Sequence, residues 1–132
     1  MTIDDIQLLK LEADWMYDRY RMYLHAGTGP AWIMDDDGGP LCAFGAAFLW
    51  DGVCEVWFNL IKKDKIKSQL RIIKAILNEQ GRHYHVTRYQ ATVKESFCKG
   101  IKFVKALGFE FEGKLRRYLP DGSDADMYSR LL

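Results

Sequence analysis

Hydrophobic residues recur along this chain either at helical spacing or at every second position, and these two patterns divide it into helices and strands. The stretch Ala91–Gly113 shows first the helical pattern and then the strand pattern. Its first part has apolar residues at helical spacing, which predicts one buried helix face: Phe97, Ile101, Val104 and Leu107. Glu95 and Ser96 lie near the predicted start of this helix, where acceptors and negative charge suit the free N–H groups of the first turn. Gly108 is placed to end the helix with a positive φ. A strand is predicted next, with Phe109, Phe111 and Leu115 alternating with Glu110, Glu112 and Lys114.

Three strand patterns joined by turn signals come earlier. We predict strands at Ala31–Met34, Leu41–Trp50 and Val53–Leu60, separated by the turns Asp35–Pro40 and Asp51-Gly52. The second of them is apolar at every position, which predicts a central strand buried on both faces. In the third, alternate residues face opposite sides of the sheet: Cys54, Val56, Phe58 and Leu60 face one way, and Val53, Glu55, Trp57 and Asn59 the other.

The remaining periodic segments complete an α/β order. Helices are predicted at Asp4–His25 and Ile66–Leu77, the second ended by Asn78–Gly81, and a strand at Tyr84–Thr92. A last strand follows the turn Pro120–Asp124. The order helix, three strands, helix, strand, helix, two strands predicts a mixed twisted sheet sandwiched by helices. With 132 residues, the chain is expected to form a single domain over 1–132.

Composition and charge narrow the class of protein. The net charge of +1 gives no reason to expect a nucleic-acid partner, and the lysines of Lys62–Lys74 form too small a positive stripe for one. Cys42 and Cys54 lie in apolar strand patterns, so with Cys98 they are expected to be free thiols of a reducing compartment. We see no signal-peptide pattern and no apolar run of membrane-spanning length, so a cytoplasmic protein without a membrane partner is expected.

Two features carry candidate chemistry. Four lysines lie at the start of the helix Ile66–Leu77, where they oppose the positive end of the helix dipole: Lys62, Lys63, Lys65 and Lys67. An anion bound there would make this arrangement favourable, although a solvated basic loop is an alternative. Glu55 lies among apolar residues of a strand, which would raise its pKa toward that of a general base. Alternatively, Glu55 faces solvent or pairs with Arg88.

A metal site is not expected. His83 and His85 would share one face of the predicted strand, but no third ligand lies nearby in the sequence. Partly exposed histidines are the expected outcome.

The unit of helix, Leu107-Gly108-Phe109 and strand near the C-terminus resembles the GCN5-related N-acetyltransferases, the GNAT superfamily. The order of elements from Pro30 onward and the ending DGSDADMYSRLL are also similar to this family, except that its usual first strand is missing. The resemblance implies a GNAT-like fold that binds acetyl-coenzyme A between the strands Val53–Leu60 and Tyr84–Thr92. The family's usual glycine-rich loop for the coenzyme pyrophosphate is replaced here, since no glycine lies between Asn59 and Asn78.

The resemblance also implies roles for particular residues. Glu55 matches a glutamate that deprotonates the acceptor amine through water in some members. Val104 stands where many members have a tyrosine that protonates the leaving thiolate, and Tyr84, Tyr89 or Cys98 are candidates to replace it. The coenzyme-binding residues implied lie on the first strand end, on the lysine loop and around the next strand–helix junction: Phe58, Asn59, Leu60, Lys65, Ile66, Lys67, Ser68, Ala91, Ser96 and Lys99.

The function expected from this resemblance is transfer of an acetyl group from acetyl-coenzyme A to an amine by direct attack, without a metal. The partners expected are coenzyme A and an amine-bearing small molecule or protein, and a homodimer stays open. The alternative is a non-catalytic protein of GNAT fold with a degenerate coenzyme site, such as a phage structural or host-interacting protein in the host cytoplasm.

Overall fold

Six strands and two α-helices make up the part of the chain that the computed structural model describes, residues 29–36, 38–60 and 63–132. The predicted helix Asp4–His25 and the predicted lack of a preceding strand lie outside these residues. The strands are β1 (Ala31–Asp36), β2 (Gly39–Trp50), β3 (Val53–Leu60), β4 (Arg88–Lys94), β5 (Glu110–Leu115) and β6 (Ala125–Leu131). The helices are a 3-10 helix (Lys63–Gln69), α1 (Leu70–His83) and α2 (Cys98–Ala106).

The sheet is mixed, as predicted, and it opens at its only parallel pair among the described strands. Its order is β1-β2-β3-β4-β6-β5, with antiparallel pairing everywhere except between β3 and β4. These two strands pair only where Val53–Glu55 faces Arg88–Gln90. Beyond Glu55, β3 pairs with β2 alone and β4 with β6 alone. The splay predicted between these strands is therefore present, and it opens toward their carboxyl ends.

Both described α-helices pack on the same face of the sheet, which we call the helix face. The Tyr89 hydroxyl on β4 donates to the Leu77 carbonyl of α1, and the Phe58 ring on β3 meets the Phe103 ring of α2 edge-on. Cys54 lies beside Tyr89 in the parallel register, so Cys54, Val56, Phe58 and Leu60 share this face, as the alternation predicted. None of the described helices is long and apolar enough to cross a membrane.

The prediction that Leu41–Trp50 is buried on both faces is confirmed for the first seven residues and wrong for the last three. Leu41–Ala47 is buried, whereas Phe48, Leu49 and Trp50 are exposed, Trp50 to 66%. The physical reason is the length of the neighbouring strand. β1 pairs with β2 only as far as Gly45, so among the described strands the end of β2 has β3 as its only neighbour.

The predicted helix Ile66–Leu77 is shifted and begins differently. Lys63–Gln69 forms a 3-10 helix, and the α-helix runs from Leu70 to His83, past the predicted stop at Asn78–Gly81. Gly81 does not end the helix. A Cβ on it would lie 2.6 Å from the end of the exposed Leu132 side chain and 3.4 Å from the Tyr89 hydroxyl, so Gly81 packs closely against the C-terminal end of the chain.

The strand predicted at Tyr84–Thr92 begins four residues late, at Arg88, and runs to Lys94. Tyr84 to Thr87 instead form the turn that leaves α1. The amides of Tyr84, His85 and Val86 donate to helix carbonyls, and His85 has a φ of 56°. His83 thus ends a helix, and both histidines are exposed rather than aligned on a strand.

The predicted helix end at Gly108 is confirmed. Gly108 has a φ of 94°, its amide donates to the Lys105 carbonyl, and the Phe109 amide donates to the Val104 carbonyl. These two bonds form a Schellman motif, which closes the last turn and needs a left-handed residue.

The predicted start of this helix is wrong, because Phe97 is its N-cap residue and makes no side-chain cap bond.

Phe111 is 56% exposed on the edge strand β5. The bulge between Phe111 and Gly113 interrupts the predicted alternation of that strand.

Candidate functional site

A cavity of about 360 Å³ lies at the open end of the splay, between the end of β3, the 3-10 helix, the start of α1 and one side of α2. Its wall is apolar and its rim carries three lysines. The lining residues are Leu60, Ile66, Lys67, Leu70, Lys99, Lys102, Phe103 and Ala106. This combination suits a ligand that has both an apolar portion and negative charge.

The three lysines make the cavity mouth cationic. Lys67, Lys99 and Lys102 are exposed, and within the described part of the chain no carboxylate forms an ion pair with any of them. Lys99 and Lys102 are three residues apart on α2, so their side chains are neighbours on one helix face. An anion at this mouth would relieve the mutual repulsion of the ammonium groups.

The structure brings together four of the predicted coenzyme-binding residues: Leu60, Ile66, Lys67 and Lys99 line the cavity. Phe58 and Ala91 are buried on the helix face of neighbouring strands, and Asn59 is buried on the opposite face. Ser68 and Ser96 are exposed and do not line the cavity. Lys65 lies within the 3-10 helix, so the predicted free start of an α-helix at Lys65–Ser68 is wrong.

Sequence reasoning missed four lining residues, Leu70, Lys102, Phe103 and Ala106. Three of them share a stripe with Lys99 at offsets of 3, 4 and 7 on α2. This stripe runs beside the fully apolar face that the periodicity identified. The presence of Lys99 and Lys102 in a helical stripe with Phe103 and Ala106 is the signal that would have identified this side of α2 as a cavity wall.

Glu55 lies on β3 at the last position that pairs with β4, opposite Gln90. It is only 7% exposed, so the alternative of a solvent-facing Glu55 is wrong. The alternative of a pair with Arg88 is also wrong, because the Arg88 guanidinium pairs with Glu112 and donates to the Gln90 side chain. Glu55 therefore lies buried at the point where the two strands begin to separate.

The face of the sheet opposite the helices carries the buried polar residues. Gln90 lies beside Glu55 in the parallel register and opposite Ser129 on β6, so these residues share one face with Asn59 and Thr92. The buried polar residues of the described chain all lie there: Glu55, Asn59, Thr92 and Ser129. The helix face at the same positions is apolar. Polar chemistry is thus concentrated on the face that carries Glu55.

The three candidates for the missing tyrosine lie in different places. Val104 itself is buried. Burial raises the pKa of Tyr89 to about 12, and its hydroxyl donates to the Leu77 carbonyl. Tyr84 meets the Phe48 and His83 rings near the amino end of β4, away from the cavity. Cys98 is exposed at the first turn of α2, next to the cavity-lining Lys99.

The described residues contain no group of three or more histidine, cysteine, aspartate or glutamate side chains that could hold a metal ion. Cys42 and Cys54 are buried free thiols, as predicted. Burial raises the pKa of Cys42 to about 12 and that of Cys54 to about 11, so both are neutral near pH 7.

A larger and more open depression of about 550 Å³ lies at the other end of β4, between the end of α1 and the C-terminal residue Leu132. Its arginine, Arg82, is already paired with Glu79. We place the candidate site at the smaller cavity, because unpaired cations and the strand splay meet there.

Comparison with known proteins identifies the fold. No family model matches the sequence, and no curated protein is similar to it at a significant level. Solved acetyltransferase structures do match. One is the aminoglycoside acetyltransferase AAC(6')-Ib in complex with coenzyme A, with a TM-score of 0.73, 18% identity, and coverage of 99% of this chain and 91% of that chain.

Two further structures show the same likeness. The IAA acetyltransferase from Bacillus cereus has a TM-score of 0.74 and 9% identity, over 87% of this chain and 85% of that chain. The microcin C7 self-immunity acetyltransferase MccE, in complex with acetyl-CoA and AMP, has a TM-score of 0.68 and 14% identity, over 86% of this chain and 68% of that chain. The chain therefore has the fold of the GNAT acetyltransferases, as the sequence resemblance implied.

Proposed function

We propose that the chain is a single-domain N-acetyltransferase that transfers an acetyl group from acetyl-coenzyme A to an amine. The observation that carries this proposal is the separation of the parallel strands β3 and β4 beyond Glu55, next to a cavity rimmed by Lys67, Lys99 and Lys102. Two of the three structures named above hold coenzyme A or acetyl-CoA. In this fold the splay is the natural entry for an extended, acyl-bearing ligand.

The residues present fit such a coenzyme. The three ammonium groups would hold its pyrophosphate, a task for which charge-assisted hydrogen bonds are suited. The apolar wall formed by Leu60 and Phe103 would contact the uncharged arm. The family's glycine-rich loop is replaced by a 3-10 helix, so lysine side chains take over part of the work that backbone amides do elsewhere.

The chemistry follows from the position of Glu55. When bound, the coenzyme supplies an acetyl group as a thioester. The buried Glu55 carboxylate would accept a proton from the acceptor amine through a water molecule, which leaves the amine nucleophilic. The nitrogen would bond to the acetyl carbon as the carbon–sulfur bond breaks, and the leaving thiolate would take up, through water, the proton that the nitrogen then loses. Alternate amides of β3 beyond Glu55 face the side where no strand pairs, so an N–H at Phe58 or Asn59 would donate to the oxygen on which negative charge develops.

The test measures acetylation and coenzyme binding separately. Purified protein is incubated with acetyl-CoA and a mixture of amines that contains a diamine, an aminoglycoside and peptides with free N-termini, and acetylated products are identified by mass spectrometry. We expect Glu55→Gln to lower kcat by about 10²–10⁴-fold, the usual contribution of a general base, and to leave the Kd for acetyl-CoA unchanged. Glu110→Gln, on the exposed edge strand β5, is the matched control. Equal turnover by wild type and Glu55→Gln would remove Glu55 from the mechanism.

A second candidate is a non-catalytic protein of the same fold. The observation that favours it is the buried Val104 at the position of the family's tyrosine, together with the engagement of Tyr89 by the Leu77 carbonyl. No acetylated product from any amine in the mixture, in a protein that folds normally, would favour this candidate.

A further inference from the structure

Asn59 is a buried side chain whose polar atoms have no hydrogen-bond partner among the described residues. It is 0% exposed, and neither its Oδ1 nor its Nδ2 bonds to any residue of 29–36, 38–60 or 63–132. Two residues earlier on the same face of β3, the Trp57 Nε1 is also buried and has no partner in this part of the chain. Burying such groups without a partner destabilises a fold, and asparagine is also unfavourable in a strand. Packing alone therefore gives no reason for an asparagine here.

The position of Asn59 suggests what its partner would be. It lies four residues beyond Glu55, the last residue of β3 that pairs with β4, and so it borders the splay. The lysine cavity is on the helix face, whereas Asn59 lies on the opposite face, which carries the other buried polar residues. The partner would therefore enter through the splay.

The chemistry of the Asn59 side chain restricts the chemical class of the group that it could bind. A carboxamide is neutral and offers one acceptor and two donors. An ammonium group would be better met by a carboxylate, and a phosphate by cations, but a secondary amide matches a carboxamide on both its N–H and its C=O. The Trp57 ring lies over Gly45 of β2, where a Cβ would come within 2.7 Å of the indole. Because β2 is on the side of β3 away from the splay, the Trp57 N–H is not part of this site.

We propose that the Asn59 carboxamide binds a secondary amide of a ligand in the splay. This inference rests on the proposed function, because two sources of that amide follow from it. One is the pantetheine arm of the coenzyme, which contains two amide groups. The other is a peptide group next to the amine of the acceptor. The experiment has one arm for each source.

The first measurement asks whether Asn59 is retained at a cost in stability. Asn59→Leu keeps the shape and removes the unpaired atoms, so we expect Tm to rise by about 3–6 °C. The matched control is Asn78→Leu on α1, where the Asn78 Oδ1 accepts from Arg130. We expect that control to lower Tm, because it leaves the Arg130 guanidinium without its partner.

The second measurement identifies the source. Wild type and Asn59→Leu are titrated with acetyl-CoA and with adenosine 3′,5′-bisphosphate, which lacks the arm. If the arm is the partner, Asn59→Leu weakens acetyl-CoA binding by about tenfold and leaves bisphosphate binding unchanged. If the acceptor is the partner, acetyl-CoA binding is unchanged. In that case kcat/KM for peptides with randomised N-termini falls by about tenfold or more relative to 1,4-diaminobutane, which has no amide.

Asn59→Leu with wild-type affinity for acetyl-CoA and a wild-type ratio of peptide to diamine acetylation would overturn the inference, whatever its Tm. Failure of the proposed function looks different, since wild type itself would then bind no acetyl-CoA. In that case the amide inference is judged by binding of the peptide mixture alone. Loss of peptide binding in Asn59→Leu would support it, and equal binding by the two proteins, zero included, would overturn it.

Discussion

The lysines of α2 give the sharpest prediction about the cavity. Replacing Lys99 and Lys102 by glutamine in one double variant removes two positive charges from its mouth and keeps most of each side chain. If both ammonium groups contact the coenzyme pyrophosphate, each contributes about 1 kcal/mol net, the lower end for a hydrogen bond to a charged group after solvent screening. The sum of about 2 kcal/mol corresponds to a rise in Kd of about 30-fold.

The same structure predicts a small effect on folding. Lys99 and Lys102 are one helical turn apart, and at about 6 Å in water their repulsion is about 0.7 kcal/mol. Neutralising them removes this repulsion, so the free energy of unfolding should stay the same or rise slightly. A binding defect in the double variant therefore cannot be explained by loss of fold.

Calorimetric titration with acetyl-CoA at two salt concentrations checks the prediction. Raising the salt from 0.1 M to 1 M shortens the screening length from about 10 Å to about 3 Å, so wild-type affinity should fall steeply and that of the double variant less. Lys105→Gln, on the same helix but outside the cavity lining, is the control for loss of one lysine charge elsewhere on α2. A double variant that binds within twofold of wild type would refute the assignment of these lysines to the coenzyme.

Three other predictions address the fold and its pH dependence. Gly108→Ala should lower stability by about 1 kcal/mol, seen as a drop in Tm of about 3–5 °C, because a φ of 94° strains any residue with a Cβ; an unchanged Tm would contradict the helix end described. Ala46→Asp or Ala47→Asp should prevent stable folding, as each places a carboxylate at a position only 3% exposed; a wild-type urea midpoint for either would show that one face of β2 is open. The contribution of Cys42 to stability should be constant up to about pH 9 and fall as the pH rises toward 12, because burial raises the pKa of its thiol from 9.0 to about 12 and the thiol ionises more readily in the unfolded chain. Urea unfolding of wild type and Cys42→Ala in reducing buffer checks this, and an equal fall in both proteins would exclude Cys42 as a cause.

The parts of the fold set by local chemistry could be predicted from the sequence. β3 has the predicted bounds of Val53–Leu60, because its alternation lies between the turn signal Asp51-Gly52 and a polar segment. Gly108 ends its helix because few other residues tolerate that conformation. The parts set by tertiary contacts could not be predicted in this way. Gly81 lies inside α1 and packs closely against Leu132, 51 residues away in the sequence. His85 has a positive φ that no local signal indicates.

The candidate site likewise contains residues that local sequence patterns predict and residues that depend on tertiary contacts. The end of β3 and the lysine segment were predicted as parts of one site, and Leu60, Ile66 and Lys67 do line one cavity. The contribution of α2 through Lys102, Phe103 and Ala106 depends on how that helix is rotated against the sheet, which the periodicity of one helix does not specify. The unpaired amide of Asn59 could not be predicted either, because hydrogen-bond partners are known only when the neighbouring strands are in place.

Titration of wild-type protein with acetyl-CoA, followed by calorimetry and by thermal shift, tests the central claim most directly. The account predicts one binding site per chain, a Kd in the micromolar range, and a Tm that rises with ligand concentration as binding to the folded state requires. No heat and no change in Tm up to millimolar acetyl-CoA would contradict it.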